Sequence, residues 1–246
     1  MTRNVVFILS IVTIMISQFA QAETDYQPLL NKLGPGLKYQ SERKSSLVGF
    51  NEVIVNNQVI LISDDQRYVV IGPILDMSLG DNGVPLGEDF ISANRITILD
   101  AVDSSSLITF KPEEIKAKVK VFTDIDCYYC RKLHSEINEI LEQGIQISYL
   151  SFPVSAGSNK KGAGYSKAVS VWCASDRNEA MTKAKQGEVI SNSNCEHPID
   201  RHFALARNLN INVTPTLIFE DGHVEKGYLP PAELAKLAIL HSKRGD

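Results

Sequence analysis

The apolar positions of this chain fall into three patterns. Residues 5–16 form an almost unbroken apolar run behind Arg3, followed by Ala20-Gln21-Ala22. Residues 26–33 then support one short helix, stopped by Gly34-Pro35-Gly36. Strand-like runs at 48–55, 59–63 and 67–71 are separated by Asn56-Asn57 and Asp64-Asp65, both turn-forming pairs. They predict a small three-stranded antiparallel meander. Beyond a glycine-rich loop at 80–87, residues Phe90, Ile91, Ile98, Leu99 and Val102 mark a helix, which Asp103 and three serines break. Residues 81–108 therefore read as a partly helical, semi-rigid linker.

From Val119 the pattern changes. Residues 119–123 read as a buried strand, 130–142 carry Leu133, Ile137, Ile140 and Leu141 at helical spacing up to Gly144, and 145–152 alternate around Gln146 and Ser148. Strand, helix and strand within about 35 residues make a βαβ unit, with parallel strands and a right-handed crossover. A helical section at 164–186 and 199–208 follows, then short strands at 216–219 and 223–226 around Asp221-Gly222, a hairpin signal. Residues 231–242 close the chain as a helix. The predicted fold is a small α+β amino-terminal domain (an antiparallel sheet with a helix, 23–80), a linker helix (81–108) and an α/β thioredoxin-like domain with a helical insertion (109–246).

The leading run is shorter than the roughly 20 apolar residues a bilayer span needs. Residues 1–22 are thus read as a secretory signal peptide, cut after Ala22. The mature chain then holds 24 basic and 29 acidic residues. Without a clustered basic face, such a chain is not expected to bind nucleic acid or an anionic membrane. Export also places the four cysteines in an oxidising compartment, where pairing is expected. A sheet unit of roughly 60 residues is marginal alone. Packing on the larger domain and dimerisation through the open sheet edges would each remedy this.

Cys127 and Cys130 sit where a strand turns into a helix. The unpaired N–H groups and positive end of that helix favour a thiolate on Cys127. Cys127 is thus the candidate attacking sulfur and Cys130 the candidate resolving one. A structural bridge, or a zinc site completed by Cys195 and His197, are the other readings of the pair; the spacing and compartment favour the redox one. Cys173 and Cys195 enclose about 20 residues, and a bridge across such a loop contributes roughly 3 kcal/mol in the chain-entropy model. Trp172 beside Cys173 points to a packed, structural disulfide, with a second redox pair as the lesser reading. Tyr128 and Tyr129 offer either aromatic surface to a substrate or packing, with Tyr129 turned inward. His134 reads as a surface residue, and Asp124 either as a buried group near Cys130 or as a cap.

Several motifs occur together in a particular order. They are Gly72-Pro73, Val121-Phe122-Thr123-Asp124 ahead of the close cysteine pair, Leu133-His134 behind it, Trp172-Cys173-Ala174, Cys195, Thr214-Pro215 and Gly227-Tyr228-Leu229-Pro230-Pro231. Jointly they resemble the periplasmic thiol:disulfide interchange proteins of the DsbC/DsbG type, over nearly the whole mature chain. The resemblance implies that residues 23–80 dimerise and that two thioredoxin-like domains face each other across a cleft. It also implies a cis Thr214-Pro215 bond facing the cysteines, which would leave the Thr214 backbone open to pair with an extended substrate segment. The chain departs from the family in its Tyr128-Tyr129 dipeptide, where Gly-Tyr or Pro-Tyr is usual, and in Asp126, where a neutral residue is common. The carboxylate disfavours the thiolate and Arg131 and Lys132 favour it.

The function expected on these grounds is that of a periplasmic, homodimeric disulfide isomerase/reductase acting on misfolded exported proteins. It would use no cofactor and no metal, and a membrane thiol reductase of the DsbD type would keep it reduced. A reductase of oxidised single cysteines, a holdase-type chaperone and a dithiol oxidase are the alternatives.

Overall fold

The computed structural model describes residues 24–79, 82–154 and 162–242. The expected signal peptide, and Gly80 with Asp81 of the glycine-rich loop, lie outside them. Helix α1 (Gln27–Leu33) is followed by β1 (Tyr39–Lys44), β2 (Phe50–Val55), β3 (Gln58–Ser63) and β4 (Val69–Val70), which pair in that order as one antiparallel sheet. The sheet thus has four strands rather than the three expected. The sequence Tyr-Gln-Ser-Glu-Arg-Lys of β1 has no apolar alternation because it forms the sheet's outer, half-buried edge. The β2–β3 turn is carried by Asn56 and Asn57 at φ 48° and 56°, a left-handed pair that asparagine tolerates better than most residues. Val53, Val55, Ile60 and Ile62 pack with Tyr26 and Leu30 of the α1 segment, and Ile54 and Leu61 are buried on the opposite face.

A small hairpin of β5 (Leu75–Asp76) and β6 (Val84–Pro85) occupies part of what the sequence presents as loop. Helix α2 (Glu88–Asp100) belongs to both halves of the molecule. Near its start Arg43 of β1 binds Asp89, and near its end Leu99 joins a core with Phe122, Leu150, Phe152 and Ile218. Between these points Asn94 donates to Asn57 at 2.8 Å, and Asn57 in turn donates to Asn208 Oδ1 at 3.0 Å. The tip of the β2–β3 hairpin is therefore held on the larger unit by asparagine side chains.

That larger unit is a five-stranded sheet in the order β11-β10-β8-β9-β7. The strands are β7 (Ile108–Phe110), β8 (Ala117–Thr123), β9 (Ile145–Ser151), β10 (Thr216–Ile218) and β11 (Val224–Lys226). β8 and β9 are parallel, Phe122 lying opposite Leu150, and the other pairs are antiparallel. The crossover between β8 and β9 is α3 (Tyr128–Ser135) and α4 (Ile137–Glu142), broken at Glu136 where one helix was expected. The insertion is α5 (Ala163–Trp172), α6 (Arg177–Gln186) and α7 (Ile199–Asn208), and α8 (Pro231–Leu240) closes the domain. One sheet face buries Val119, Val121, Ile147 and Tyr149 against Leu133, Ile140, Trp172, Met181 and Leu234. The other carries Phe122 and Leu150 toward α2 and α7, whereas Lys118, Lys120 and Gln146 occupy its uncovered end. Among the described residues no helix is long and apolar enough to cross a membrane.

Candidate active site

Strand β8 ends at Thr123, and the chain turns through Asp124, Ile125 and Asp126 before α3 begins. Asp124 is buried, and its Oδ1 accepts from the Asp126 N–H at 3.0 Å, which shapes this turn. Cys127 is the N-cap of α3 and Cys130 lies in its first turn, the latter 1% exposed. Both cysteines are free thiols. From the far side the Thr214-Pro215 segment approaches, with its peptide bond cis, and the Cys127 thiol donates to the Thr214 carbonyl at 3.3 Å. Pro215 is tied in turn by Gly227 N–H, which donates to its carbonyl at 2.8 Å. The expected site residues Cys127, Cys130, Thr214 and Pro215 are therefore one cluster, built from the end of β8, the start of α3 and the entry to β10.

The two sulfurs differ in environment. The Cys127 thiol is lowered from 9.0 to about 5, chiefly because Cys130 donates a hydrogen bond to its anion. The N–H groups of Cys130 and Tyr129 and the Thr214 hydroxyl add to this, against a cost of burial. Burial pushes the Cys130 thiol well up, and holding the Cys127 anion pushes it further. Asp126, which would oppose a thiolate, is ion-paired with Lys167 of α5. Arg131 is directed away from the sulfur, its Nε donating to the Lys185 carbonyl at 2.6 Å, and Lys132 lies 4.2 Å over the Tyr228 ring. The Cys130 thiol and the N–H groups of the helix start, rather than these two cations, favour the anion.

Tyr128 and Tyr129 are 72% and 55% exposed, so Tyr129 is not turned inward. Their rings meet edge to face, and Tyr129 stacks on Tyr228, whose hydroxyl donates to Glu136 at 2.7 Å. His134 corrects an expectation. It is 2% exposed, sits between Tyr149 and Thr182 with both ring nitrogens 3.0 Å from their hydroxyls, and burial lowers its pKa to about 3. Residues 130, 133, 134 and 137 share one helical face, a spacing that places His134 in the core. Cys173 and Cys195 are bonded, S–S 2.06 Å, at the end of α5, so Cys195 is not available to complete a zinc site with Cys127 and Cys130. Two cations at the site, Lys167 and Lys185, went unmarked in the sequence. Lys167 is the one charged residue of a mostly apolar helix and Lys185 sits among the polar residues of α6, and only the ion pair with Asp126 and the packing of α6 against α3 bring them to the cysteines.

Comparison with known proteins agrees with this geometry. A family described as thioredoxin-like domain matches residues 104–239, and one described as disulfide bond isomerase protein N-terminal domain matches residues 17–83. The thiol:disulfide interchange protein DsbC of Dickeya dadantii is 31% identical over 96% of this chain and 95% of its own. This chain belongs to the DsbC family. The DsbC of Escherichia coli K12 is likewise 31% identical, over 96% of each chain, and that of Haemophilus influenzae 27% identical over 79% of this chain and 81% of its own. As a member of the DsbC family the chain is a thiol-disulfide oxidoreductase of the isomerase class. The comparisons do not favour the holdase, the dithiol oxidase or the single-cysteine reductase.

Proposed function

We propose that Cys127 is the attacking sulfur of a protein-disulfide isomerase, Cys130 its resolving partner, and the Thr214 and Tyr128-Tyr129 surfaces its substrate contacts. The observation that carries this reading is the N-cap position of Cys127 against the Thr214 carbonyl, with Cys130 buried behind it. Cys127 thiolate attacks a non-native disulfide, forming one S–S bond and breaking another, so that one client sulfur leaves as thiolate and takes a proton from water. A second client thiol, once deprotonated, attacks the mixed disulfide, releasing Cys127 and a rearranged client bond. If that attack stalls, Cys130 displaces the client, leaving the enzyme oxidised and in need of a reductant. The backbone at Thr214 pairs with an extended client segment by strand addition, indifferent to its side chains. Cys173–Cys195 serves as structure.

The pH profile of alkylation tests the assignment. Cys127, identified by peptide mapping, alkylates with a midpoint of about 5 and a plateau above it, while Cys130 stays silent through neutral pH. The midpoint is the deciding quantity because intrinsic nucleophilicity falls with pKa, which offsets the larger thiolate fraction at neutral pH. A midpoint near 9.0, the unshifted value, would remove Cys127 from this role.

We further propose that the mature chain begins at Glu23, acts in the periplasm and is recharged by a membrane thiol reductase of the DsbD type. Residues 23–80 form its dimerisation domain, 81–108 the linker and 109–246 the catalytic domain. Support for the dimer comes from the open edges of β1 and β4 and from apolar side chains exposed nearby, Tyr68 at 59%, Ile71 at 68% and Met77 at 63%. Sedimentation of the mature protein at micromolar concentration is expected to give twice the chain mass, and deletion of 23–80 a monomer. A deletion variant that stays dimeric would place the interface elsewhere.

A further inference from the structure

Beneath the two cysteines lies a charged residue that the exchange steps above do not use. Lys185 of α6 is 3% exposed, a rare condition for lysine. Its Nζ donates to Thr123 Oγ1 at 2.7 Å and to the Asp124 carbonyl at 2.9 Å. The Thr123 side chain also favours the Cys130 anion, so one hydroxyl serves both the amine and the resolving sulfur. The lysine is held there by a second device. Arg131 Nε binds the Lys185 carbonyl, and Gly187, the C-cap of α6, leaves room for that guanidinium: a Cβ at 187 would lie 2.8 Å from Arg131 Nη2.

The groups facing Lys185 come from every element packed around it. From β8 and its turn there are Thr123 and Asp124, from α3 Cys127, Cys130, Arg131 and His134, and from β9 the ring of Tyr149, 5.9 Å away. Burial lowers the pKa of Lys185, and the anions of Cys130, Asp124 and Cys127 oppose that fall. The cation, for its part, favours the Cys130 anion. Lys185 also lines a groove of about 610 Å³ with Tyr128, Arg131, Lys132 and Thr182, which supplies a path to water.

We propose that Lys185 is the positioning residue of the resolving step, acting through the Thr123 hydroxyl to take the proton that Cys130 must lose and then to hold the resulting thiolate. The inference rests on the roles given above to Cys127 and Cys130. In the mixed disulfide, the Lys185 ammonium, disfavoured by burial, gives its proton to water through the groove, and the Cys130 proton then passes through the Thr123 hydroxyl to the amine so formed. The Cys130 thiolate attacks Cys127 Sγ, and a Cys127–Cys130 bond forms as the Cys127–client bond breaks. The electron pair departs on the client sulfur, which takes a proton from water, so the client is reduced as the enzyme dithiol is oxidised. Lys185 is thereby left as the ammonium with which the cycle began.

The test uses the full mature chain, reduced, and a chromogenic aromatic disulfide that releases one coloured thiol on attack by Cys127 and a second on resolution by Cys130. Lys185→Met is expected to leave the first release within twofold of the unaltered protein. It should slow the second at least tenfold at neutral pH and move the midpoint of its pH profile upward. Thr123→Val, which keeps the lysine and removes the bridge, is expected to move the second release the same way, and it decides the matter if Lys185→Met does not fold. Second releases within twofold of the original at every pH from both variants would overturn the proposal. So would slowing without a change of midpoint, which marks a purely structural role. Loss of the first release from the unaltered protein would instead strike the Cys127 assignment and remove this inference with it.

Discussion

Replacing Cys127 by Ser is expected to reduce the refolding rate of a scrambled multi-disulfide client by at least about a thousandfold, to the uncatalysed level. The cause is acidity. An alcohol at this position is not ionised by the hydrogen bonds that lower the Cys127 thiol to about 5, and no other described free sulfur is exposed to take over, Cys130 being buried. Cys130→Ser is the informative companion. It retains the attacking sulfur and the helix start, so it should form the mixed disulfide with the client and hold it, since resolution is gone. Suppression of client aggregation, measured beside refolding, should survive both changes if the exposed tyrosines and the Thr214 backbone suffice to bind a chain. Refolding that persists in the Cys127→Ser protein would transfer the chemistry to another group and dismantle the site proposed here.

Trp172→Ala is expected to cost about 3–5 kcal/mol, the range for removing a large aromatic from a packed core. Trp172 is 1% exposed at the end of α5, and its Nε1 donates to the Ser106 carbonyl at 3.0 Å, so the change leaves a cavity and removes a buried donor. The same carbonyl lies in the turn leading to β7, and His202, edge-on to the indole at 6.3 Å, holds Ser106 Oγ at 3.1 Å. The indole thus joins the helical insertion to the sheet. Denaturant unfolding with the Cys173–Cys195 bridge kept intact measures the cost. A loss under about 1 kcal/mol would mean the site collapses around the gap and that the packing is not limiting there.

The elements that were legible in the sequence are those whose apolar period is unambiguous. The βαβ core at 119–151 is one, because Val119, Val121, Ile145 and Ile147 alternate and Leu133, Ile137 and Ile140 repeat helically. The Asn56-Asn57 turn is another, because its backbone needs a left-handed pair. β1 and β7 were not legible. The first is a polar edge strand, half-buried along most of its length, and the second is a three-residue strand at the boundary between the apparent linker and the larger domain, so each is defined by its pairing partner rather than by its own residues. The kink at Glu136 leaves no mark in the stripe that runs through it.

At the site the division is similar. Cys127, Cys130 and the helix start that acidifies the first of them lie within one short segment, so local spacing was enough to identify them. The burial of His134 was present in the same helical period, though a histidine beside Lys132 and Ser135 reads as exposed. Chain order alone marked the candidate attacking sulfur, its candidate partner and the strand-to-helix turn that holds them. The family resemblance implied that Thr214-Pro215 faces the cysteines, whereas tertiary structure alone decided that Lys167 neutralises Asp126 and that Lys185 reaches Thr123 from 62 residues away. The physical reason is range: a helix end acts on its own first turn, whereas an ion pair or buried amine acts only after a distant segment has been folded against it.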